Sequence, residues 1–208
     1  MRPGVAVMPF EDGGSYGQDA EDFEALTVGM QQLLITEFAI NDALRVVERG
    51  RINDLLAEME LGASGTVDAG TAAAVGKLVG AKYMVFGSFI DWYGDFRVNA
   101  RIVNVETGEI VKVERGREKR ENLFPMVVDL ANNITKGLDL PVLTDQAYQG
   151  RRDRSEDIPQ EALRLYSKAL LYQDRGDTER AVELFSQVTR DFPQYTEAQE
   201  ALRQIEQG

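Results

Sequence analysis

Apolar positions along the chain fall into short blocks whose spacing changes from strand to helix and back. Val5 to Phe10 (VAVMPF) reads as a short buried strand. From about Glu21 to Ala39, the residues Phe23, Leu26, Met30, Leu33, Leu34 and Phe38 recur at helical spacing and predict an amphipathic helix. Leu44 to Val47 predicts a second strand, and Glu48, Arg49 and Gly50 a corner. Ile52, Leu55, Leu56 and Met59 then recur at i, i+3, i+4 and i+7, one face of a second helix. This corner carries no nucleophile and no phosphate loop, so it reads as scaffold. Gly62 and Gly65 are expected to end the helix. Asp68 is placed to cap a third helix, from about Ala69 to Val79, whose Ala72, Val75, Gly76 and Val79 form a small-residue face suited to close packing.

The period then changes to two. Tyr83 to Trp92 and Phe96 to Val105 predict paired strands around a turn at Gly94-Asp95, and Ile110 to about Lys119 a third strand after the turn Glu106-Thr107-Gly108-Glu109. Phe96, Val98, Ala100 and Ile102 alternate with Arg97, Asn99 and Arg101, the pattern of a sheet with one covered and one wetter face. A fourth helix follows, from about Asn122 to Lys136, with Phe124, Val127, Val128, Ala131 and Ile134 inward and Pro125 tolerated in its first turn. From Leu140 to Pro159 the pattern fades, and Pro141, Gly150 and the Arg151-Arg152-Asp153-Arg154 cluster read as a linker. The remainder is helical. Ala162, Leu165, Ala169 and Tyr172 line one helix, Gly176-Asp177 turns the chain, Ala181, Leu184, Phe185 and Val188 line a second, and Pro193 precedes a third.

The expected architecture is therefore α/β: a two- or three-layer mixed sheet in the order strand-helix-strand-helix-helix-three-stranded meander-helix. A C-terminal all-α helical hairpin with a capping helix follows. The expected division is residues 1–140 for the α/β domain, 141–157 for a linker and 158–208 for the helical domain.

Composition narrows the chemistry. The 208 residues carry a net charge of −12, which disfavours a nucleic-acid backbone or an anionic lipid surface as the main partner. The chain has no Cys and no His, so disulfides, thiolate or imidazole metal ligands, thiol nucleophiles and histidine acid–base catalysis are excluded. The Gly-rich acidic loop Glu11 to Ala20 follows a strand and precedes a helix whose first residues are Glu21 and Asp22, a place where a phosphate can sit. Its carboxylates repel an anion, and neither GxGxxG nor GxxxxGK[ST] is present. Their spacing does not match an EF-hand, and the loop reads as solvated. No catalytic, cofactor or metal residues are expected. Arg115, Arg117, Lys119 and Arg120 alternate with Glu114, Glu118 and Glu121, which reads as a solvated edge strand rather than an anion site. Trp92 and Tyr93 at the hairpin turn are either interface anchors or the closure of the sheet's end.

Two resemblances add to this. In the tail, Ala169, Tyr172, Gly176, Ala181, Phe185 and Pro193 are similar to one tetratricopeptide repeat, with Val188 and Leu165 departing from its usual residues and Thr196 to Gln207 as a capping helix. Such a pair either packs without binding anything or offers a protein contact, for which Tyr166, Tyr172 and Gln173 are the candidates in the tail, beside Trp92 and Tyr93 in the sheet. In the first part, VAVMPF at 5–10 and VVERGRINDLLAEMEL at 46–61 lead a set of ordered motifs. GTVD at 65–68, VGKLVGAKYMVFGSF at 75–89 and VNVETGEIV at 103–111 complete it. Over residues 5 to about 137 the chain resembles the CsgG-type family of curli-assembly lipoproteins.

That resemblance implies a periplasmic protein, associated with the outer membrane through a lipidated N-terminal Cys that this sequence does not carry. Met1-Arg2-Pro3-Gly4 reads as an added initiator, with a native leader expected upstream. Some members of the family form outer-membrane secretion rings, others are soluble scaffolds. Channel formers need long membrane hairpins; the tight turns here leave no residues for them, so no pore is expected. The expected function is a non-enzymatic envelope scaffold or adaptor, with other proteins as partners and homo-oligomerisation open. The alternative is a ring-forming subunit of a curli-type export machine.

Overall fold

The computed structural model describes residues 2–59 and 68–207. Their strands are β1 (Gly4–Val7), β2 (Glu11–Asp12), β3 (Arg45–Val46), β4 (Tyr83–Trp92), β5 (Asp95–Asn104) and β6 (Ile110–Lys119). They form one mixed sheet in the order β3-β1-β4-β5-β6, with β2 pairing β4 past the end of β1. β1 runs parallel to β3 and β4, and β4 to β6 form an antiparallel meander. Parallel neighbours need crossover connections. Helix α1 (Ala20–Ala39) supplies the first, and α2 (Arg49–Glu58) with α3 (Ala69–Val79) the second. A bulge sets both Ile110 and Val111 against Val103, where the register shifts.

The alternation of each strand builds two cores. On one face Val5, Val7, Val85, Phe89, Val98 and Ile102 pack under α1 and α4 (Leu123–Gly137). On the other, Ala6, Met8, Met84, Phe86, Val103 and Val105 meet Ile52 of α2 and Ala72, Val75 and Val79 of α3. This is the three-layer form of the expected α/β arrangement. The small-residue face of α3 has its reason at Gly76, where a Cβ would stand 2.4 Å from Val105 Cγ2. Asp68 caps α3 as expected, its Oδ1 accepting from the Thr71 amide at 2.7 Å. Ile52 is buried, Leu55 and Leu56 are partly buried, and Met59 is largely exposed. Gly62 and Gly65, expected to end α2, lie outside the described residues.

The segment read as a linker is helical over Asp145–Glu156 (α5). Its anchors are polar, and a hydrophobic pattern cannot show them. Thr144 Oγ1 accepts from the Ala147 amide at 3.3 Å. Tyr148 donates to Asp129 at 2.6 Å, and Arg151 Nη2 reaches Glu37 at 2.6 Å and Glu197 at 2.7 Å. Helices α6 (Gln160–Asp174), α7 (Thr178–Asp191) and α8 (Thr196–Gln207) complete the chain.

The tail helices share the first core. One buried cluster runs from the sheet through α1 and α4 into Ala162, Tyr166, Ala169, Phe185 and Tyr195. Helix α6 lies against α1 closely enough that a Cβ on Gly29 would meet Ser167 Oγ at 2.0 Å. Ion pairs frame the contact: Lys168 Nζ to Asp22 at 2.7 Å, Arg164 Nη1 to Asp22 at 3.2 Å, and Arg175 Nη2 to Glu24 at 2.7 Å. The buried corner residue Arg49 pairs with Asp174 and donates to Gln173 Oε1 at 3.2 Å. The strand-to-helix corner therefore also pins the tail.

Candidate protein-contact site at the tip of the sheet

The hairpin between β4 and β5 turns through Tyr93 and Gly94, at φ +52 and +97, with Trp92 paired to Asp95. Positive φ at both central residues marks the two-residue turn whose twist suits a hairpin. The sequence placed the turn one residue later, because Gly94-Asp95 looks like turn chemistry and Tyr does not. A tyrosine in the left-handed region costs about 1–2 kcal/mol.

A buried clamp holds this tip. Asp91 is fully buried, paired with Arg120 just past β6, and its Oδ1 also accepts from the Gly94 amide at 2.8 Å. The Arg120 amide donates to the Gly94 carbonyl at 2.9 Å. The loop after β2 is stitched alongside. Tyr16 N–H donates to the Asp91 carbonyl at 2.7 Å, and Tyr93 N–H to the Tyr16 carbonyl at 3.0 Å. Ser15 Oγ accepts from the Asp91 amide at 2.9 Å. Gly17 passes so near Tyr93 that a Cβ would fall 3.0 Å from its Cα. At the start of the loop between β2 and α1, Asp12 Oδ1 accepts from the Ser15 amide at 2.9 Å, so this carboxylate shapes the loop. Among the described residues no three carboxylates gather as a metal site.

Three aromatic rings stand on this frame. Tyr16, Trp92 and Tyr93 are 53%, 56% and 72% exposed. Tyr16 meets Trp92 edge-on at 5.0 Å between centroids, and Trp92 meets Tyr93 at 6.0 Å. Large rings held in place and left in water are the residue types that anchor interfaces. The sequence left two readings open for Trp92 and Tyr93, interface anchors or closure of the sheet's end, and all three rings are more than half exposed. Beside them, Asp95 accepts from Arg117 at 2.9 and 3.0 Å and from Arg97 at 2.8 Å. Arg117 first and Arg97 second hold its carboxyl at about 2.

The tail candidates sit elsewhere: Tyr166 faces inward, Tyr172 is half-buried and Gln173 is exposed. Tyr166 is buried against Phe185 and Tyr195, with centroids at 5.6 and 5.0 Å, so it belongs to the core and not to a binding face. Burial pushes its hydroxyl pKa up. Tyr172 donates to Glu21 at 2.7 Å under the guanidinium groups of Arg175 and Arg180, and Gln173 is engaged by Arg49. The structure thus brings Trp92 and Tyr93 together and separates them from the tail residues. Tyr16 was missed as a site residue. It joins the tip through a parallel bridge to Trp92, a pairing across the chain that no local spacing signals.

The family model described as "Curli production assembly/transport component CsgG" matches residues 1–97 and ends within β5. No curated protein matches the chain. Among solved structures, the C-terminal domain of LpoB from Salmonella enterica is 21% identical, with a TM-score of 0.40 over 57% of this chain and 83% of that one. TolB from Acinetobacter baumannii is 14% identical, with a TM-score of 0.45 over 66% of this chain and 28% of TolB. The PelC dodecamer from Paraburkholderia phytofirmans is 13% identical, with a TM-score of 0.35 over 66% of this chain and 87% of that one.

Proposed function

We propose that this protein is a non-enzymatic scaffold or adaptor of the bacterial envelope, acting through protein–protein contacts in cell-envelope or surface-structure assembly without a membrane pore of its own. The observation that carries the reading is the aromatic tip: three exposed rings fixed by a buried Asp91–Arg120 clamp and by a strained turn. Strain and buried charge kept at an exposed site favour a contact role over a merely structural one. The CsgG match over residues 1–97 supports the envelope setting. On that reading the native protein is periplasmic and held at the outer membrane by a lipid anchor. The helices after residue 158 form one tetratricopeptide-like pair with a capping helix, engaged with the first part of the chain.

The test is photo-crosslinking in the native envelope from a reactive side chain placed at Tyr93, with Leu78 on α3 as an exposed apolar control. Discrete protein adducts from position 93 and none from position 78 are expected. Equal or absent adducts at both positions refute the contact role of the tip.

A second reading, a ring-forming subunit of an export machine, draws on the outer edge of β6. That strand pairs only with β5 among the described residues and exposes Ile110, Val111 and Val113. An uncovered edge of this length invites pairing with another copy. Multi-angle light scattering separates the two: a large discrete assembly supports the ring, and a monomer or dimer rejects it.

A further inference from the structure

On β6 the charges that alternate in sequence part company in space. The pleat sends Glu114 and Glu118 to the face covered by α4, and Arg115, Arg117 and Lys119 to the opposite face. There they meet Arg97 and Arg101 of β5, since Arg97 pairs with Arg117, Asn99 with Arg115 and Arg101 with Val113. Five cations thus share one sheet face in a chain whose net charge is −12. The sequence expectation of a solvated edge strand holds for β6, which lies at the sheet edge and is largely exposed; what the sequence order does not show is that the two signs part by face.

Among the described residues no helix covers this part of the face. Helices α2 and α3 rest on the end of the sheet where Met84, Phe86 and Val103 point outward. Beyond Gly87 the same face of β4 carries Ser88, Ile90 and Trp92, and Ile90 and Trp92 are exposed. A cleft of about 370 Å³ runs between Ile90, Val98, Arg97, Arg115 and Arg117, with Asn99 in its wall. Asn99 Oδ1 is buried without a hydrogen-bond partner. Asp95 is shared by Arg97 and Arg117, and Lys119 pairs with Glu121 at 3.6 Å. Arg101 and Arg115 form no ion pair with a described residue. Glu11 of β2 lies on the far side of β4, beside Ser88.

We propose that this face binds a short, extended acidic polypeptide segment of a partner protein, a reading that rests on the contact role proposed above and names the partner's chemistry. Three features select that occupant. Arg115, Arg117 and Lys119 alternate along β6 at about 6.8 Å, the repeat of every second side chain on an extended strand. An acid at each alternate position of such a segment meets them in register. The unpartnered Asn99 oxygen calls for a donor, and a peptide offers backbone N–H groups beside its carboxylates. A wider polyanion, such as a bilayer or a duplex, also meets the acidic remainder of the surface. A short segment stays within about one Debye length, roughly 8 Å, of the patch.

The probe is built in, because Trp92 is the only tryptophan and stands at the end of this face. Its fluorescence is followed while the full chain is titrated with a ten-residue peptide alternating Glu and Val, with anionic vesicles of phosphatidylglycerol, and with duplex DNA. Saturable binding of the peptide is expected, weakening as salt rises. It should fall about tenfold or more in Arg101→Glu/Arg115→Glu. Neither residue holds an ion pair with a described residue, so the variant should fold. Arg51→Glu/Arg203→Glu carries the same total charge away from the patch and should bind like the parent. Peptide binding that is absent, or reduced equally in both variants, overturns the proposal. So does vesicle or DNA binding of equal strength with the same dependence on Arg101 and Arg115. Loss of peptide binding with the Tyr93 crosslinks intact removes this inference alone, whereas loss of the crosslinks removes the contact reading beneath it.

Discussion

Replacing Gly29 tests whether the helical tail is truly seated on the α/β part. Gly29 lies mid-way along α1 and faces Ser167 of α6, where a new Cβ would sit 2.0 Å from Ser167 Oγ and 2.8 Å from Ser167 Cβ. Rotating the hydroxyl relieves the first distance and leaves the second, about 1 Å short of an ordinary carbon–carbon contact. Gly29→Ala must therefore push the two helices apart, an overpacking cost of about 1–3 kcal/mol. Against it stands the gain of about 0.5–1 kcal/mol for Ala over Gly inside a helix. The net expectation is a loss of about 1–2 kcal/mol, a fall in Tm of roughly 2–8 °C for a chain of this size. Ser167→Gly opens the needed space. Its hydroxyl is buried without a partner, so its removal forfeits no hydrogen bond and costs mainly the helix propensity of Gly, about 0.5–1 kcal/mol. In the double variant the steric cost disappears, and the two changes should be non-additive by about 1–3 kcal/mol. Urea unfolding of the four proteins measures this. If Gly29→Ala stabilises the chain, or if the two changes simply add, α6 does not rest on α1 at this point and the tail is free to act on its own.

Three further outcomes follow from the tip. Arg120→Met leaves the buried Asp91 carboxylate without its cation and should cost about 3–5 kcal/mol in urea unfolding, while Asp91→Asn with Arg120→Met together should recover part of it. Tyr93→Asn accepts the positive φ more readily and should raise stability by about 1 kcal/mol while removing an exposed ring; a lower Tm would show that the ring's packing against Gly17 and Trp92 outweighs the strain. Asp95 should titrate at about 2 rather than at its ordinary 3.8, because Arg117 and then Arg97 favour its charged form. A depressed carboxyl stabilises the fold fully above the ordinary value and loses that contribution as pH falls through about 2. Carbon-detected NMR of the Asp95 side chain should show this midpoint, and Arg117→Ala should move it upward; a midpoint near 3.8 in the parent chain contradicts the geometry.

What the sequence could reveal was set by periodicity. The stripe Phe23 to Phe38, the Asp68 cap and the alternation Phe96 to Ile102 each have a local period, and each element lies where that period puts it. Helix α5 was invisible because its anchors are charged groups reaching across the chain, Arg151 to Glu37 and Tyr148 to Asp129, with no apolar stripe of its own. At the hairpin the pattern Tyr-Gly-Asp pointed one residue too far, since only the fold fixes Tyr93 at positive φ. Two of the three rings of the candidate site were legible: Trp92 and Tyr93 were marked by their place at a turn. Tyr16 and the clamp of Asp91 with Arg120 depend on a parallel bridge and on an ion pair between distant segments. The basic face was hidden in plain view. Read along the chain, Arg115 to Glu121 mixes the two signs, whereas reading every second residue separates them.

The position of the tail bears on why the proposed contacts fall on the sheet. Helices α1 and α4 cover one face of the meander, and α6 to α8 close over those helices with Tyr166, Phe185 and Tyr195 inside. The residues that a repeat-like pair would offer to a partner are thereby engaged: Tyr166 by burial, Tyr172 by Glu21 and Gln173 by Arg49. On the opposite face α2 and α3 stop where the outward residues of β4 and β5 change from Met84, Phe86 and Val103 to Ser88, Ile90 and Arg97. That change is itself a sequence instruction, because an apolar helix laid over Arg101 and Arg115, which pair with no described acid, would bury cations at a cost of several kcal/mol each. The chain's own helices are turned away from this region by its charge. What can meet it is a segment that brings the opposite charge, with the rings of Tyr16, Trp92 and Tyr93 at its border to supply apolar area.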